Sequence, residues 1–188
     1  MSDFKAQDLS ISLQKKLLGK MAKKSLAKLF IDDISAQLLD NLHRLSKFNG
    51  QYEKKESNKI VKHIIKLIIK TAIIAKNDCF TDDDLTDAEI LKEEFRSICM
   101  TIVSFHELDF SYDRNYLISS LDKCKQTLKR LLKKYLSNKS MDRIEMIFNF
   151  YTKPEFLDTF FRQTDGEIKH LRDDIIRDLS ILLEKGLI

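Results

Sequence analysis

The sequence predicts a single all-α domain. Its 188 residues include one proline and four glycines, so few positions favour turns, and 43% of the residues are hydrophobic. Apolar residues recur every three or four positions, and strict alternation of apolar and polar residues is hard to find. A chain of this length buries a core without disulfides or metal. We therefore expect about six to seven helices packed in one domain.

Two amphipathic helices open the chain. The first begins near Asp8, carries lysines beside its apolar face, and is bent or broken at Gly19. The second ends at the polar segment 47–58. The apolar positions are Leu9, Leu13, Leu17 and Met21 in the first helix, and Ile34, Leu38, Leu42 and Leu45 in the second.

The third helix, residues 59–77, is apolar around most of its circumference. At about 3.6 residues per turn, Lys59, Lys62, Lys66 and Lys70 fall on one narrow polar stripe. A surface helix usually buries a stripe a little over about 100° wide, so this one needs neighbours on most sides or an apolar ligand. The recurring lysines argue against a membrane span. Ser57 or Asn58 is the expected N-cap.

An acidic linker leads into the remaining helices, with Thr81 or a neighbouring aspartate as N-cap. Two long helices, two shorter ones at 144–151 and after Pro154, and a last long helix are expected. The long helices have the apolar stripes Leu91, Phe95, Ile98, Ile102 and Phe105; Leu117, Leu121, Cys124, Leu128, Leu131 and Tyr135; and Ile168, Leu171, Ile175, Leu179 and Leu182.

Charge is unevenly distributed along the chain. The net charge is +4, yet residues 1–30 hold seven lysines against two aspartates, and residues 78–94 hold eight acids against one lysine. Residues 123–139 are basic again. This asymmetry indicates a positive face that meets phosphates, and a basic amphipathic N-terminal helix suits an anionic membrane surface. Solvated helix faces are the alternative interpretation of each basic block.

Catalytic and metal-binding patterns are weak. Ser104, His106 and Asp109 are too close in sequence to align as a triad on one helix. The four histidines are scattered, and neither an EF-hand loop nor a phosphate-binding glycine loop occurs. The basic blocks lack the aromatic residues typical of nucleic-acid binding. We expect neither an enzyme nor a nucleic-acid-binding protein.

The three cysteines, Cys79, Cys99 and Cys124, are odd in number and form no C-x-x-C motif. The N-terminus lacks the apolar segment of a signal peptide. These features predict reduced thiols and a cytoplasmic protein, with Cys99 and Cys124 as core residues.

Three stretches carry a family resemblance: QKKLLGKMAKKSLAKLFIDDISAQLLDNLHRL, MTIVSFHELDFSYDRN and LSNKSMDRIEMIFNFYTKPEFL. They resemble the tumour necrosis factor alpha-induced protein 8 (TIPE) family, from about Leu9 to the C-terminus. The resemblance implies an antiparallel cylinder of about six helices around a central apolar cavity that holds lipid tails. It also implies a phosphoinositide carrier that regulates immune signalling, cell death or migration, with a mobile N-terminal helix at 1–16 and a helical homology domain at 17–188.

The resemblance and the apolar surplus together give a set of expected site residues. Lysine does not reproduce the bidentate contacts of arginine found in relatives, so headgroup selectivity is expected to differ. The headgroup-binding residues are Lys15, Lys16, Lys20, Lys24, Lys76 and Lys92. The cavity-lining residues are Ile64, Leu67, Ile68, Phe105, Leu121, Leu128 and Ile147.

The expected ligand is a phospholipid or fatty acyl chain, with no cofactor and no metal. The expected partners are phosphoinositides and an anionic membrane surface, to which the cytoplasmic protein binds reversibly, and signalling proteins. The alternative is a helical adaptor without lipid cargo, whose apolar residues all belong to a solid core.

Overall fold

The computed structural model describes residues 4–18, 31–48, 54–108, 111–164 and 166–188, and every regular element in these ranges is an α-helix. This confirms the all-α prediction. The described helices are α1 (Ala6–Leu18), α2 (Asp33–Phe48), α3 (Lys54–Lys76), α4 (Asp82–Glu107), α5 (Arg114–Leu132), α6 (Asn138–Tyr151), α7 (Pro154–Arg162) and α8 (Gly166–Glu184).

Side chains in the connecting segments fix several helix starts. Thr81 caps α4 in a capping box, because its hydroxyl accepts from the Asp84 N–H while the Asp84 carboxylate accepts from the Thr81 N–H. Asp113 caps α5 by accepting from the Tyr116 N–H. Pro154 lies in the first turn of α7, where its missing N–H costs no hydrogen bond. The predicted cap at Thr81 is confirmed.

Six helices form a closed ring in the order α2, α3, α6, α5, α4, α8 and back to α2, each packing on the next. Neighbours in the ring run antiparallel. Between α2 and α8, Asn41 bonds Asp178, while Arg44 pairs with Glu167 further back along α8. Outside the ring, α1 packs on α2 and α3, and α7 packs on α5, α6 and α8.

Three apolar clusters hold this arrangement together. The large cluster lies where α7 packs, and includes Leu117, Phe150, Phe156, Phe160 and Leu171. The α1 cluster joins α1, α2 and α3 through Ala6, Leu13, Leu39, Val61 and Ile65. The small cluster joins α5 and α6 through Leu131, Leu132 and Ile144. Helix α3 contributes side chains to all three, as its nearly continuous apolar surface requires.

Three expectations need correction. Ser57 is not an N-cap but lies inside α3, where its hydroxyl donates to the Ser46 carbonyl. Asn58 likewise contacts His43 through its side chain. Phe95, expected in a buried stripe, is 44% exposed because only one edge of α4 faces α5 and α8. The described ranges contain eight helices, one more than the six to seven estimated for the domain, although the helices before and after Pro154 were both expected.

Candidate functional site

The four predicted headgroup lysines that the structure describes lie on three different helices. Lys15 and Lys16 are exposed in the last turns of α1, Lys76 ends α3, and Lys92 is exposed on α4. Lys20 and Lys24 lie outside the described residues. The proposed boundary between residues 16 and 17 falls near the end of α1, and the mobility of this helix stays a prediction.

A basic cluster forms along α3, on which both α1 and α6 pack. It consists of Lys16 from α1, Lys62, Lys66 and Lys70 from α3, and Arg143 from α6. Lys16 and Lys62 are exposed, whereas the other three side chains are half-buried. Among the residues that the structure describes, no carboxylate lies within ion-pair distance of these five cations.

Burial and neighbouring cations both lower the pKa values of groups in this cluster. Burial lowers the pKa of Lys66, and four nearby cations lower it further. Those cations are Arg143, Lys62, Lys16 and Lys70. Burial followed by Arg143 lowers the pKa of Lys70. Burial also lowers the pKa of the neighbouring His63 to about 4, with Arg143 as the next largest cause, so this imidazole is neutral at physiological pH.

The start of α6 adjoins the same cluster. The Lys70 ammonium donates to the Ser140 hydroxyl at 2.9 Å, and Ser140 is buried in the first turn of α6. Ser137 makes no side-chain cap, and this turn holds Lys139 rather than an acid. Because a helix N-terminus carries partial positive charge, this arrangement adds to the positive potential instead of neutralising it.

The structure divides the predicted cavity-lining residues among the three clusters. Leu67 and Leu128 pack against the small cluster, whereas Phe105 and Leu121 pack against the large one. Ile64 contacts both the large and the α1 clusters, and Ile68 packs against the α1 cluster. These six side chains are half-buried, and Ile147 is 8% exposed. Their role in lining a cavity stays a prediction.

An open pocket of about 470 Å³ lies along one face of α4. Its wall includes Phe105, Met100 and Arg96, with Tyr116 from the start of α5. Met100 and Tyr116 are each more than half exposed, so this pocket belongs to the outer surface. Phe105 therefore has access to an outer pocket as well as to the large cluster.

Cys99 and Cys124 are not activated as nucleophiles. Burial raises the pKa of Cys99 and of Cys124 to about 12, so neither forms a thiolate near neutral pH. Both are buried, which confirms them as core residues. The His106 ring bonds Asp173 at 2.9 Å, and Asp109 lies outside the described residues.

The described residues contain no group of three histidine, cysteine or acidic side chains placed to hold a metal ion. None of their helices has the length and apolar character needed to cross a membrane.

The closed antiparallel ring, the apolar clusters and the basic cluster define an all-helical single-domain protein whose distinctive surface is cationic. Residues 4–186 match the family described as "Tumor necrosis factor alpha-induced protein 8-like". The chain belongs to this family.

Relatives from insects and mammals agree with this assignment. The chain is 37% identical over 183 residues to "Protein salivary glands marred" of Drosophila melanogaster, covering 97% of this chain and 96% of the fly protein. It is 38% identical over 169 residues to "Tumor necrosis factor alpha-induced protein 8" of Bos taurus, and 37% identical over the same length to the Homo sapiens protein of that name. Each mammalian alignment covers 90% of this chain and 85% of the relative.

The sequence did not single out the basic cluster. The lysine stripe on α3 was evident, but only as one narrow polar stripe on a mostly apolar helix. Arg143 belongs to α6 and becomes relevant only when α6 packs beside α3. The signal that could have found it is the first turn of α6, which carries Lys139 and Ser140 where an acidic residue is usual.

Proposed function

We propose that this protein binds and transfers a phospholipid, with phosphoinositides as the preferred class, and acts through this cargo as a signalling regulator. The observation that carries the proposal is the closed ring of six helices whose apolar side chains remain partly accessible. Membership of the family supports it, since the expected family architecture is a helical cylinder around lipid tails.

Ring geometry supports an interior able to take an acyl chain. Packed helix axes lie about 8–10 Å apart. In a regular ring of six, the centre is then about 8–10 Å from every axis, which leaves a space about as wide as one further helix. The large cluster fills the end near α7 with aromatic side chains. At other levels, half-buried Leu67 and Leu128 supply an apolar wall.

Partial exposure of these apolar side chains supports a ligand rather than a sealed core. Burying apolar surface contributes about 25 cal/mol per Å², so side chains left partly accessible retain a driving force for binding acyl chains. Leu67, Leu121 and Leu128 are half-buried although they contact core clusters. A lipid tail would cover this remaining surface.

The headgroup would be held by lysines through charge-assisted hydrogen bonds. Lys15, Lys16 and Lys92 are exposed and available for this role. Lysine donates to phosphate from a single flexible ammonium, so discrimination between phosphoinositides would depend more on total charge than on geometry.

Narrowing the interior tests the proposal. Leu128→Trp adds bulk at a half-buried position of the predicted lining and should reduce transfer of a fluorescent phosphoinositide between vesicles. Leu85→Trp, at a 52% exposed position on α4, is the matched control and should transfer at the wild-type rate. Thermal unfolding verifies that both variants are folded. Wild-type transfer by a folded Leu128→Trp variant would contradict the lipid-filled interior.

One observation favours an adaptor as a second candidate. Large apolar side chains are exposed along α4, just after it, and at the start of α5, and two of them, Met100 and Tyr116, line the open pocket. These residues are Leu85, Ile90, Phe95, Met100, Leu108 and Tyr116. Apolar side chains around an open pocket often mark a protein contact. An adaptor would keep its partner contacts when no lipid is bound, whereas a carrier would lose its activity.

A further inference from the structure

We propose that the outer face of α4 binds a basic amphipathic helix of a partner protein, whose apolar side chains enter the open pocket and whose cations pair with α4 carboxylates. The inference rests on the adaptor candidate and deepens it by stating the chemistry of the partner. It is independent of lipid transfer, because this surface lies outside the ring. The α4 outer face consists of Asp82, Leu85, Glu89, Ile90, Glu93 and Met100.

Helical spacing places these residues on one side of α4. Asp82, Glu89, Glu93 and Met100 follow each other at steps of seven, four and seven residues, which return to the same side of an α-helix. Other sides of α4 pack on α5 and α8. From its first to its last residue the α4 outer face is about 27 Å long, enough for about five turns of a partner helix.

The carboxylates of α4 fall into two groups. Asp87, next to α5, pairs with Arg130 at 2.8 Å. Glu89 and Glu93 are exposed, and in the described part of the chain no cation lies within ion-pair distance of either. Both lie beyond the first turn of α4, so the positive helix N-terminus does not explain them. They remain available to cations of a partner. The other acids of α4 that pair within the molecule are Asp84 with Lys134 and Glu94 with Lys123.

Apolar side chains lie beside these acids and at the end of the α4 outer face. Leu85 is 52% exposed, Ile90 is 42% exposed and Met100 is 53% exposed. At the Met100 end, the open pocket is also bounded by Tyr116 from the start of α5. Methionine side chains adapt to partners of different shape. Exposed apolar side chains along a groove are typical of sites that receive the apolar side of an amphipathic helix.

The charge of the α4 outer face selects a basic partner. Cations would pair with Glu89 and Glu93, whereas an acidic helix or an anionic membrane surface would be repelled. Lys92 and Arg96 lie at one edge of this face. The Arg96 guanidinium is already used within the molecule, since its Nη1 donates to the Ile188 carbonyl at 2.8 Å.

Fluorescence anisotropy with a labelled synthetic peptide tests the site. The probe is a helical peptide of about 18 residues with leucines on one side and lysines on the other. It should bind the full chain at low ionic strength and more weakly as salt is added. Glu89→Gln with Glu93→Gln should weaken binding by about fivefold or more, and Met100→Gln, at an exposed position, should also weaken it.

A matched double variant controls for general charge attraction. Asp142→Asn with Glu155→Gln removes the same charge from exposed positions on α6 and α7 and should preserve affinity for the peptide. Equal weakening by the two double variants would overturn the proposal.

Two control peptides separate the charge from the groove. Replacing the lysines of the probe by glutamates should abolish binding, and replacing its leucines by glutamines should weaken binding by about fivefold or more. Binding of the glutamate peptide as tight as that of the probe would overturn the selection of a basic partner. Equal affinity for the glutamine peptide would overturn the role of the pocket.

Backbone amide NMR of the wild-type protein locates the bound peptide. The signals of Glu89, Glu93, Met100 and Tyr116 should shift more than those of α3, and shifts confined to other elements would overturn the site. Sedimentation of the chain without peptide tests a different occupant. A dimer that Glu89→Gln with Glu93→Gln dissociates would assign the α4 outer face to a second copy and overturn the partner helix.

Transfer of a fluorescent phosphoinositide between vesicles is measured on the same variants. Glu89→Gln with Glu93→Gln should transfer at the wild-type rate while binding the peptide weakly. Loss of both activities in this folded variant would overturn the independence of the α4 outer face from the interior. Failure of the wild-type protein in one assay alone leaves the other proposal standing.

Discussion

His63 gives the fold a pH dependence whose sign and size follow from the structure. Its side chain is 8% exposed, its Nδ1 atom has no hydrogen-bond partner in the described residues, and it faces Arg143 on α6. Burial and the surrounding cations lower its pKa from 6.5 to about 4. The unfolded chain therefore takes up a proton as the pH falls through about 6.5, whereas the folded protein resists protonation until about pH 4.

The contribution of His63 to folding stability is therefore fully present above its unfolded pKa of about 6.5. It is lost as the pH falls toward its folded pKa of about 4. The full effect of this pKa difference is about 3 kcal/mol, of which about 2 kcal/mol is lost between about pH 7 and about pH 5. His63→Leu places an apolar side chain at the same buried position and abolishes this titration. Relative to wild type, the variant should gain about 2 kcal/mol over that interval.

Urea unfolding of both proteins at the two pH values measures the effect, since other titrating groups act equally in each. His170→Gln, at an exposed position on α8, is the matched control and should show the wild-type pH dependence. If the stability difference between His63→Leu and wild type is the same at both pH values, His63 is not held neutral by its surroundings and the account of the basic cluster is wrong.

Two further predictions concern hydrogen bonds at helix ends. Thr81→Ala removes the N-cap hydroxyl of α4 and should lower the unfolding free energy by about 1 kcal/mol in urea titrations. An unchanged unfolding free energy would show that the capping box is not formed in solution. Arg172 donates from one nitrogen to three carbonyls at the end of α7, so Arg172→Met should lower the unfolding free energy by about 2 kcal/mol. Arg177→Met, at an exposed position, is the control and should lower it by less than about 0.5 kcal/mol. Equal losses of stability would argue against this role of Arg172.

Much of the fold could be predicted from local sequence. Scarcity of proline and glycine, together with helical spacing of apolar residues, predicted the all-α class, and the segment around Thr81 predicted its cap. Ser57 was misassigned because a serine near a helix start is equally able to bond a neighbouring helix, and here it bonds the Ser46 carbonyl. Phe95 was placed in the core because helical periodicity identifies the apolar face of α4. Periodicity does not show how much of that face the neighbouring helices cover, and Phe95 is left exposed.

The candidate site was less predictable because it is formed by residues distant in sequence. Lys66 and Arg143 are brought together only by the packing of α3 on α6. A sequence pattern shows that Lys66 belongs to a polar stripe, but not that its neighbours across the interface are cations instead of acids. The lining residues present the same difficulty, since Leu67 and Leu128 would have the same identity in a solid core and in a cavity wall.

Mass spectrometry of the purified full-length protein tests the central claim most directly, by comparing its mass under native and denaturing conditions. A lipid carrier should show an added mass in the native spectrum that is released on denaturation as a phospholipid or fatty acid. Incubation with phosphoinositide vesicles should increase the occupied fraction. A native mass equal to the mass of the chain alone, before and after incubation with vesicles, would contradict the carrier and favour a solid-core adaptor.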